Sequence, residues 1–381
     1  MRKKYLPYAY QSISDEDVDA VVRVLKSDWI TTGPTVDRFE RAICDYVKTT
    51  FGVAVNSGTS ALDIAIASLG LEGGEVITTA FTFVATANAI LFNGLKPVFV
   101  DIRKDTYNID PEKIREKITD ETRAIIYVDY AGQPCGIKEI KEIAAEYNLY
   151  LIEDAAHALG AEYEGKKLGS FADVTEFSFH PAKHITTGEG GMCVTDNEEL
   201  ADKMRMLRNH GIDKDARERY GQSASWAYDL KFLSRNYRMT DFQAALGISQ
   251  LKRIERFIKR REEIAKMYDE AFEDVSEVTP PYVKPYVRHA WHLYTILLNG
   301  IDRGEFFKRM REENIGVNVH YIPVYRHSYY ERFKLKQEDF PVTEDVFDRI
   351  ITLPLFPKMN DEDVYVVVDA VRKGIKGLKK V

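Results

Sequence analysis

Short apolar runs recur along the first half of the chain, each followed by a stretch with helical spacing of its apolar positions. The runs are Phe51–Val55, Val76–Thr79, Pro97–Val100, Ala124–Val128 and Leu149–Ile152. Helices are predicted at Ala61–Leu69, Val84–Phe92 and Ile137–Tyr147. Short apolar strands alternating with helices make βαβ units, which build an α/β fold with a mainly parallel sheet covered on both faces. Upstream, Tyr5–Tyr10 reads as an extended arm, and Ser14-Asp15-Glu16 caps a helix running through Leu25. The loop Trp29–Pro34 then precedes an amphipathic helix, Thr35–Val47. Downstream, Thr175–Phe179 and Met192–Val194 read as strands and Leu200–Asn209 as a helix. Gly211–Ser225 is expected to be a polar, mobile or substrate-facing loop, and Asp241–Tyr268 one long helix with a charged second half. Composition shifts at Pro280–Pro285. Beyond it, strands His292–Leu298 and Val317–Val319 with helices Arg303–Glu313, Thr343–Ile350 and Asp361–Gly377 predict a small α/β domain.

In parallel sheets ligands gather at the carboxyl ends of the strands, and three candidate groups fall there. The first is Asn56-Ser57-Gly58-Thr59-Ser60, a small-residue turn between strand and helix. Free N–H groups and the helix dipole make such a turn an anion site, although simple capping by Ser57 or Ser60 is compatible with the same residues. The second is Asp154, three residues before His157, so that a helical turn would put both side chains on one side. The third is Phe177–Gly191, FSFHPAKHITTGEGG. Pro181 ends the strand and delivers Ser178, His180 and Lys183 to a turn, and the following glycines let the backbone return closely. An unpaired buried ammonium is costly, so Lys183 there makes sense if burial lowers its pKa and lets it form an imine. The alternative is a glycine-rich hairpin carrying a solvated lysine.

Other chemistries lose support. His180 and His184 are four apart, but Pro181 disfavours a helix and no H-E-x-x-H glutamate is present, so no metal site is expected there or at His289 and His292. There is no G-x-x-x-x-G-K-[ST], no G-x-G-x-x-G after a strand, and no G-x-S-x-G. Over 381 residues the formal net charge is −7, which argues against nucleic acid or an anionic membrane as partner. No apolar run approaches a membrane span, and three cysteines without metal spacing suit a reducing compartment, so a cytoplasmic protein is expected. A phosphate turn, a strand-end aspartate and a lysine beside a serine are the parts a pyridoxal phosphate site requires.

The chain closely resembles the DegT/DnrJ/EryC1/StrS family of nucleotide-sugar aminotransferases. The resemblance runs from Ile30-Thr31-Thr32-Gly33-Pro34 to His320-Tyr321-Ile322-Pro323 and is carried by residues 56–62, 153–158 and 177–191 and by Asn236-Tyr237-Arg238-Met239-Thr240. It implies a fold-type I transferase: a large domain (1–250) with a mainly parallel seven-stranded sheet, and a small C-terminal α/β domain (251–381) joined through the long helix. By the same resemblance Lys183 is the Schiff-base lysine, Asp154 the partner of the pyridinium nitrogen, and His157 the residue beside the phenolic oxygen. Phe83 stacks on the ring, and Gly58, Thr59, Ser60 and Ser178 belong to the phosphate cradle. Asn236 reaches the phosphate of the other subunit, which implies a homodimer with shared sites. Thr32, Gly33 and Arg238 are substrate candidates near a diphosphate, and His320 and Tyr321 candidates near the sugar. The implied activity is transfer of an amino group from glutamate to a 4-keto-6-deoxy nucleotide sugar. A UDP-linked N-acetylamino sugar on the way to pseudaminic acid is expected, with GDP- or dTDP-linked sugars and a UDP-4-keto-pentose as alternatives. A pyridoxal phosphate-binding regulator without turnover is the alternative from another class. Amino-acid transaminases carry a late arginine for the α-carboxylate, and Arg326 is the residue here that could fill that place.

Overall fold

The computed structural model describes residues 4–214 and 226–378. Most of the predicted loop Gly211–Ser225 (residues 215–225) lies outside them. Before the first strand come helices α1 (Asp15–Leu25) and α2 (Pro34–Val47). The strands that follow are β1 (Phe51–Val55), β2 (Glu75–Thr79), β3 (Lys96–Val100), β4 (Thr122–Val128) and β5 (Tyr150–Asp154). After them come the two-residue strands β6 (Glu162–Tyr163) and β7 (Lys166–Lys167), then β8 (Val174–Ser178) and β9 (Gly191–Thr195). Helices α3 (Gly58–Ser68), α4 (Val84–Phe92), α5 (Pro111–Lys117), α6 (Ile137–Tyr147) and α7 (Glu198–Arg208) connect or follow them.

Seven strands form one sheet in the order β1-β9-β8-β5-β4-β2-β3. The pairs β2–β3, β2–β4, β4–β5 and β5–β8 are parallel, whereas β9 runs antiparallel to both β8 and β1. Six strands therefore point one way, and their carboxyl ends share an edge. The expected mainly parallel seven-stranded sheet is present. Phe39, Ile43, Ile140 and Phe177 fill one of its faces, and Leu62, Ile64, Ile126 and Ile152 the other. Burial on both faces explains why these strands read as continuous apolar runs.

The second core surrounds a three-stranded antiparallel sheet of β10 (Val278–Thr279), β12 (Tyr294–Leu298) and β13 (Ile350–Leu353); β11 (Val287–Arg288) pairs with β6 instead. Tyr268, Phe272, Ile296, Ile351, Val364 and Val367 pack there.

Four expectations change. The single helix predicted over Asp241–Tyr268 is two, Asp241–Leu251 and Ile254–Phe272. The break lies where Gln250 and Arg253 both turn their side chains onto the wholly buried Asp17 of α1. Helix α3 begins at Gly58, three residues earlier than its apolar pattern, because Ser57 caps it through Ser60 N–H at 3.1 Å. The predicted strand Val317–Val319 is reduced to an isolated bridge between Asn318 and Thr352. Strand β13 and helix α5 were not predicted: β13 follows a helix without a turn residue, and α5 is too short for a periodic signal.

Candidate active site

Strand β8 ends at Ser178, and the chain turns through His180, whose carbonyl accepts Lys183 N–H at 2.9 Å. Gly188 lies at φ 85°, and Gly191 runs so close to α3 that a Cβ would sit 2.4 Å from the Ser57 carbonyl oxygen. The glycines thus let β9 return against the start of α3 and bring the lysine turn beside the small-residue turn.

These two turns, the end of β5 and segments from the C-terminal region enclose a cavity of about 530 Å³. Of the predicted residues, Gly58, Thr59, Phe83, Asp154, His157, Ser178, Lys183, His320 and Tyr321 line it. Asp154 is buried; its Oδ2 accepts the Thr86 hydroxyl at 2.7 Å and its Oδ1 the Ala156 N–H at 3.3 Å. Burial raises its carboxyl above the ordinary range, while Thr86, Ala156 and nearby Lys183 pull it back. Burial also pushes the Lys183 ammonium down to about 8, against the opposite pull of Glu176 and Asp154. His157 receives Ala131 N–H on Nδ1 at 3.3 Å, so its proton lies on Nε2, 2.9 Å from the Tyr321 hydroxyl. Burial first, and then the charge of Lys183, holds this imidazole well below its usual range, and it is neutral at pH 7. His320 is pinned by Thr352 Oγ1 at 2.8 Å, and Phe83 lies 5.8 Å from the Tyr321 ring, centroid to centroid.

Five predicted residues stand elsewhere. Ser60 is buried with its hydroxyl spent on Asn56 Oδ1 (2.7 Å) and Ser57 Oγ (2.8 Å). Thr32, Gly33, Asn236 and Arg238 do not line the cavity of their own chain. They form a neighbouring surface instead: Thr31 bridges Thr240, Gly33 N–H donates to Asp241 Oδ1 at 2.6 Å, and Asn236 bridges Asn209, which also accepts Arg238 at 2.7 Å. Arg326 pairs with Glu344, its Nε 3.0 Å from Oε1, and stacks over Phe347. No arginine lines the cavity among the described residues.

Tyr8, Thr86 and Glu176 also line the cavity and carry no mark in the sequence; His292, weighed there only as a metal ligand, and Asn318, beside His320, line it too. Tyr8 arrives because the N-terminal arm pairs with the C-terminal region, Leu6 bridging Ile315 and Tyr8 carbonyl accepting Leu355 N–H. A larger groove of about 940 Å³ between α1, α2 and the helix Asp241–Leu251 holds none of the lysine, aspartate and histidine set.

Residues 11–372 match the DegT/DnrJ/EryC1/StrS aminotransferase family. The chain belongs to this family. It is 39% identical to a UDP-4-amino-4,6-dideoxy-N-acetyl-beta-L-altrosamine transaminase of Campylobacter jejuni, across 98% of this chain and 99% of that protein. Its fold is similar to that of Helicobacter pylori PseC, an aminotransferase involved in pseudoaminic acid biosynthesis, with a TM-score of 0.90 at 34% identity over 98% of this chain and 100% of that one. It also resembles the PLP form of Spr1654, a proposed sugar aminotransferase from Streptococcus pneumoniae, with a TM-score of 0.92 at 31% identity, covering 98% of this chain and 99% of that one. An aminotransferase of this family needs a carbonyl-capturing amine and an electron-withdrawing ring. The depressed Lys183 ammonium and the strand-end Asp154 carboxyl face one cavity of a size that suits a small cofactor.

Proposed function

We propose that this aminotransferase binds pyridoxal phosphate in the 530 Å³ cavity and aminates a UDP-linked 4-keto-6-deoxy sugar, with glutamate as amino donor. The observation carrying the proposal is the convergence of Lys183 and Asp154 on a cavity that no described arginine lines. The donors fit the cofactor: helix α3 presents its N-terminal N–H groups around Gly58 and Thr59 for a phosphate, and Ser178 stands beside them, its Oγ 3.1 Å from where a Gly58 Cβ would be. Pyridoxal phosphate supplies an aldehyde that exchanges an amine between donor and acceptor, and a ring that draws electrons from the carbon losing its proton. Lys183, on the cavity wall, would hold the cofactor through Nζ and would move the proton at the carbon being aminated. Asp154, fixed by Thr86 and Ala156, orients its carboxylate to keep the pyridine nitrogen protonated. His157, with its tautomer set by Ala131, donates from Nε2 to Tyr321 and so fixes that phenol over the cavity. Phe83, on the cavity wall, would cover the ring.

The sugar assignment rests on the segment Asn318–Tyr321 as well as on the Campylobacter relative's name. A 2-keto acid as the principal acceptor asks for a bidentate guanidinium from its own chain, and Arg326 is already taken by Glu344; glutamate, as donor, shares the pocket only transiently. Aromatic rings and neutral donors suit sugar hydroxyls. A half-reaction competition on the pyridoxamine-loaded enzyme tests this. The UDP-linked keto-sugar is expected to restore the visible cofactor band at least about a hundredfold more efficiently than pyruvate or oxaloacetate, a difference that a few well-placed polar contacts supply. Equal rates with the 2-keto acids would leave an amino-acid transaminase.

The functional unit in this reading is a homodimer in the cytoplasm, with the chain divided near residue 250. Trp226 and Leu233 are 90% and 96% exposed on the segment leading to Asn236, the kind of apolar surface a partner covers. Asn236, Arg238, Thr32 and Gly33 then serve the partner's cavity, which accounts for their distance from their own. Mixing inactive Lys183→Ala with an inactive Asn236→Ala variant is expected to regain activity, since one site of the mixed dimer keeps both residues. Absence of any gain under demonstrated subunit exchange would refute the shared site. No described helix is long and apolar enough to cross a membrane, and the three cysteines are free and buried.

A further inference from the structure

Glu176 is the least explained group near the cavity. It lies in the middle of β8 with no exposed surface, and no N–H or O–H group among the described residues donates to either of its carboxyl oxygens. Its Cα is the register partner of Asp154 across the parallel β5–β8 pair, so both side chains leave the sheet on one face and their carboxyl groups meet. Above it sits the first residue of α3. A Cβ on Gly58 would lie 2.6 Å from Glu176 Oε1, so the helix start rests directly on this carboxyl.

We propose that Glu176 is a positioning residue that holds one proton and donates it to the Asp154 carboxylate, the two acids sharing a single negative charge. Two buried carboxylates in contact cannot both ionise, so one proton stays with the pair. Asp154 is the better place for the charge, because Thr86 and Ala156 already donate to it while Glu176 has no such donor. Burial accordingly lifts the Glu176 carboxyl well above its ordinary range, and the neighbouring Asp154 charge lifts it further, against the smaller downward pull of the Lys183 ammonium. A neutral Glu176 also avoids like-charge repulsion with a phosphate held at the α3 N-terminus. Through the shared proton, Glu176 fixes the rotation of the Asp154 carboxylate and leaves its remaining lone pairs aimed into the cavity.

The consequence for the cofactor rests on reading the cavity as a pyridoxal phosphate site; the shared proton itself does not, and the test separates the two. Infrared difference spectra of the cofactor-free protein at pH 7, wild type minus Glu176→Gln, are expected to contain the carbonyl stretch of a protonated carboxylic acid that shifts in heavy water. A difference made of carboxylate bands would overturn the proposal, since Glu176 would then be ionised. For positioning, Glu176→Gln keeps a donor and is expected to bind pyridoxal phosphate within about twofold of wild type. Glu176→Leu, checked for folding by its melting transition, loses the donor to a charged acceptor and is expected to bind about tenfold more weakly. Glu176→Leu binding as tightly as wild type would overturn the positioning role. If wild type itself fails to take up pyridoxal phosphate, the cofactor reading falls and the infrared result alone judges the pair.

Discussion

Lys183→Ala is expected to lose amination by several orders of magnitude while remaining folded. Removing one covalent participant from a set that acts as a unit costs nearly as much as removing the whole set. The fold should tolerate the change: the turn is held by the Lys183 N–H to His180 carbonyl bond, which alanine keeps, and the side chain projects into the cavity rather than the core. Borohydride treatment of the loaded wild type should fix the cofactor covalently to a peptide containing Lys183, and the variant should show no such mass increase. A pH dependence follows from the ammonium lying at about 8 rather than the ordinary 10.5. The neutral, carbonyl-capturing form is then roughly one molecule in ten at pH 7, against roughly one in three thousand for an ordinary lysine. Capture of pyridoxal phosphate by the cofactor-free protein should therefore accelerate as pH rises through about 8 and level off above it. Near wild-type turnover in Lys183→Ala would remove the lysine from the chemistry.

The lysine and aspartate were legible in the sequence because each lies within a contiguous signal. A strand broken by proline and followed by glycines locates Lys183, and a short apolar run ending in an acid locates Asp154. Thr86, Tyr8 and Glu176 carry no such local mark. Thr86 sits inside an apolar helix and reaches Asp154 across 68 positions of sequence. Tyr8 belongs to an arm whose place is decided by pairing with the C-terminal region. Glu176 is the most instructive omission, because alternation in a strand assigns a glutamate to the solvent face. Strand β8 is buried on both faces, Val174 through Phe177 without exception, so the rule has no solvent face to refer to. The helix break at Lys252–Arg253 was hidden for a related reason. Gln250 and Arg253 beside it contact the distant Asp17, and no proline or glycine marks it. Asn236 shows the reverse case, a motif legible in sequence that does not line the cavity of its own chain.

Asp154→Asn is expected to slow amination about a thousandfold with little change in fold, a loss in the upper range for removing one preorganised electrostatic partner. Asparagine keeps the shape, and its carbonyl oxygen still accepts the Thr86 hydroxyl now at 2.7 Å. It cannot keep the charge, and its amide nitrogen is a donor where the carboxylate accepted Ala156 N–H. A ring nitrogen facing a neutral amide holds its proton weakly, so the electron withdrawal on which proton removal at the substrate carbon depends is lost. Single-turnover rates of the glutamate half-reaction measure this directly, with the melting temperature as control for the fold. Thr86→Val, which leaves the charge and removes one orienting bond, should fall only about tenfold, in line with the worth of a hydrogen bond to a charged group. The pair with Glu176 adds a further constraint. Once Asp154 is neutral, the neighbouring acid has no anion to donate to, so adding Glu176→Leu to Asp154→Asn should cost much less than Glu176→Leu costs in the wild type. A single-turnover rate for Asp154→Asn within tenfold of wild type would take Asp154 out of this role, whatever its hydrogen bonds.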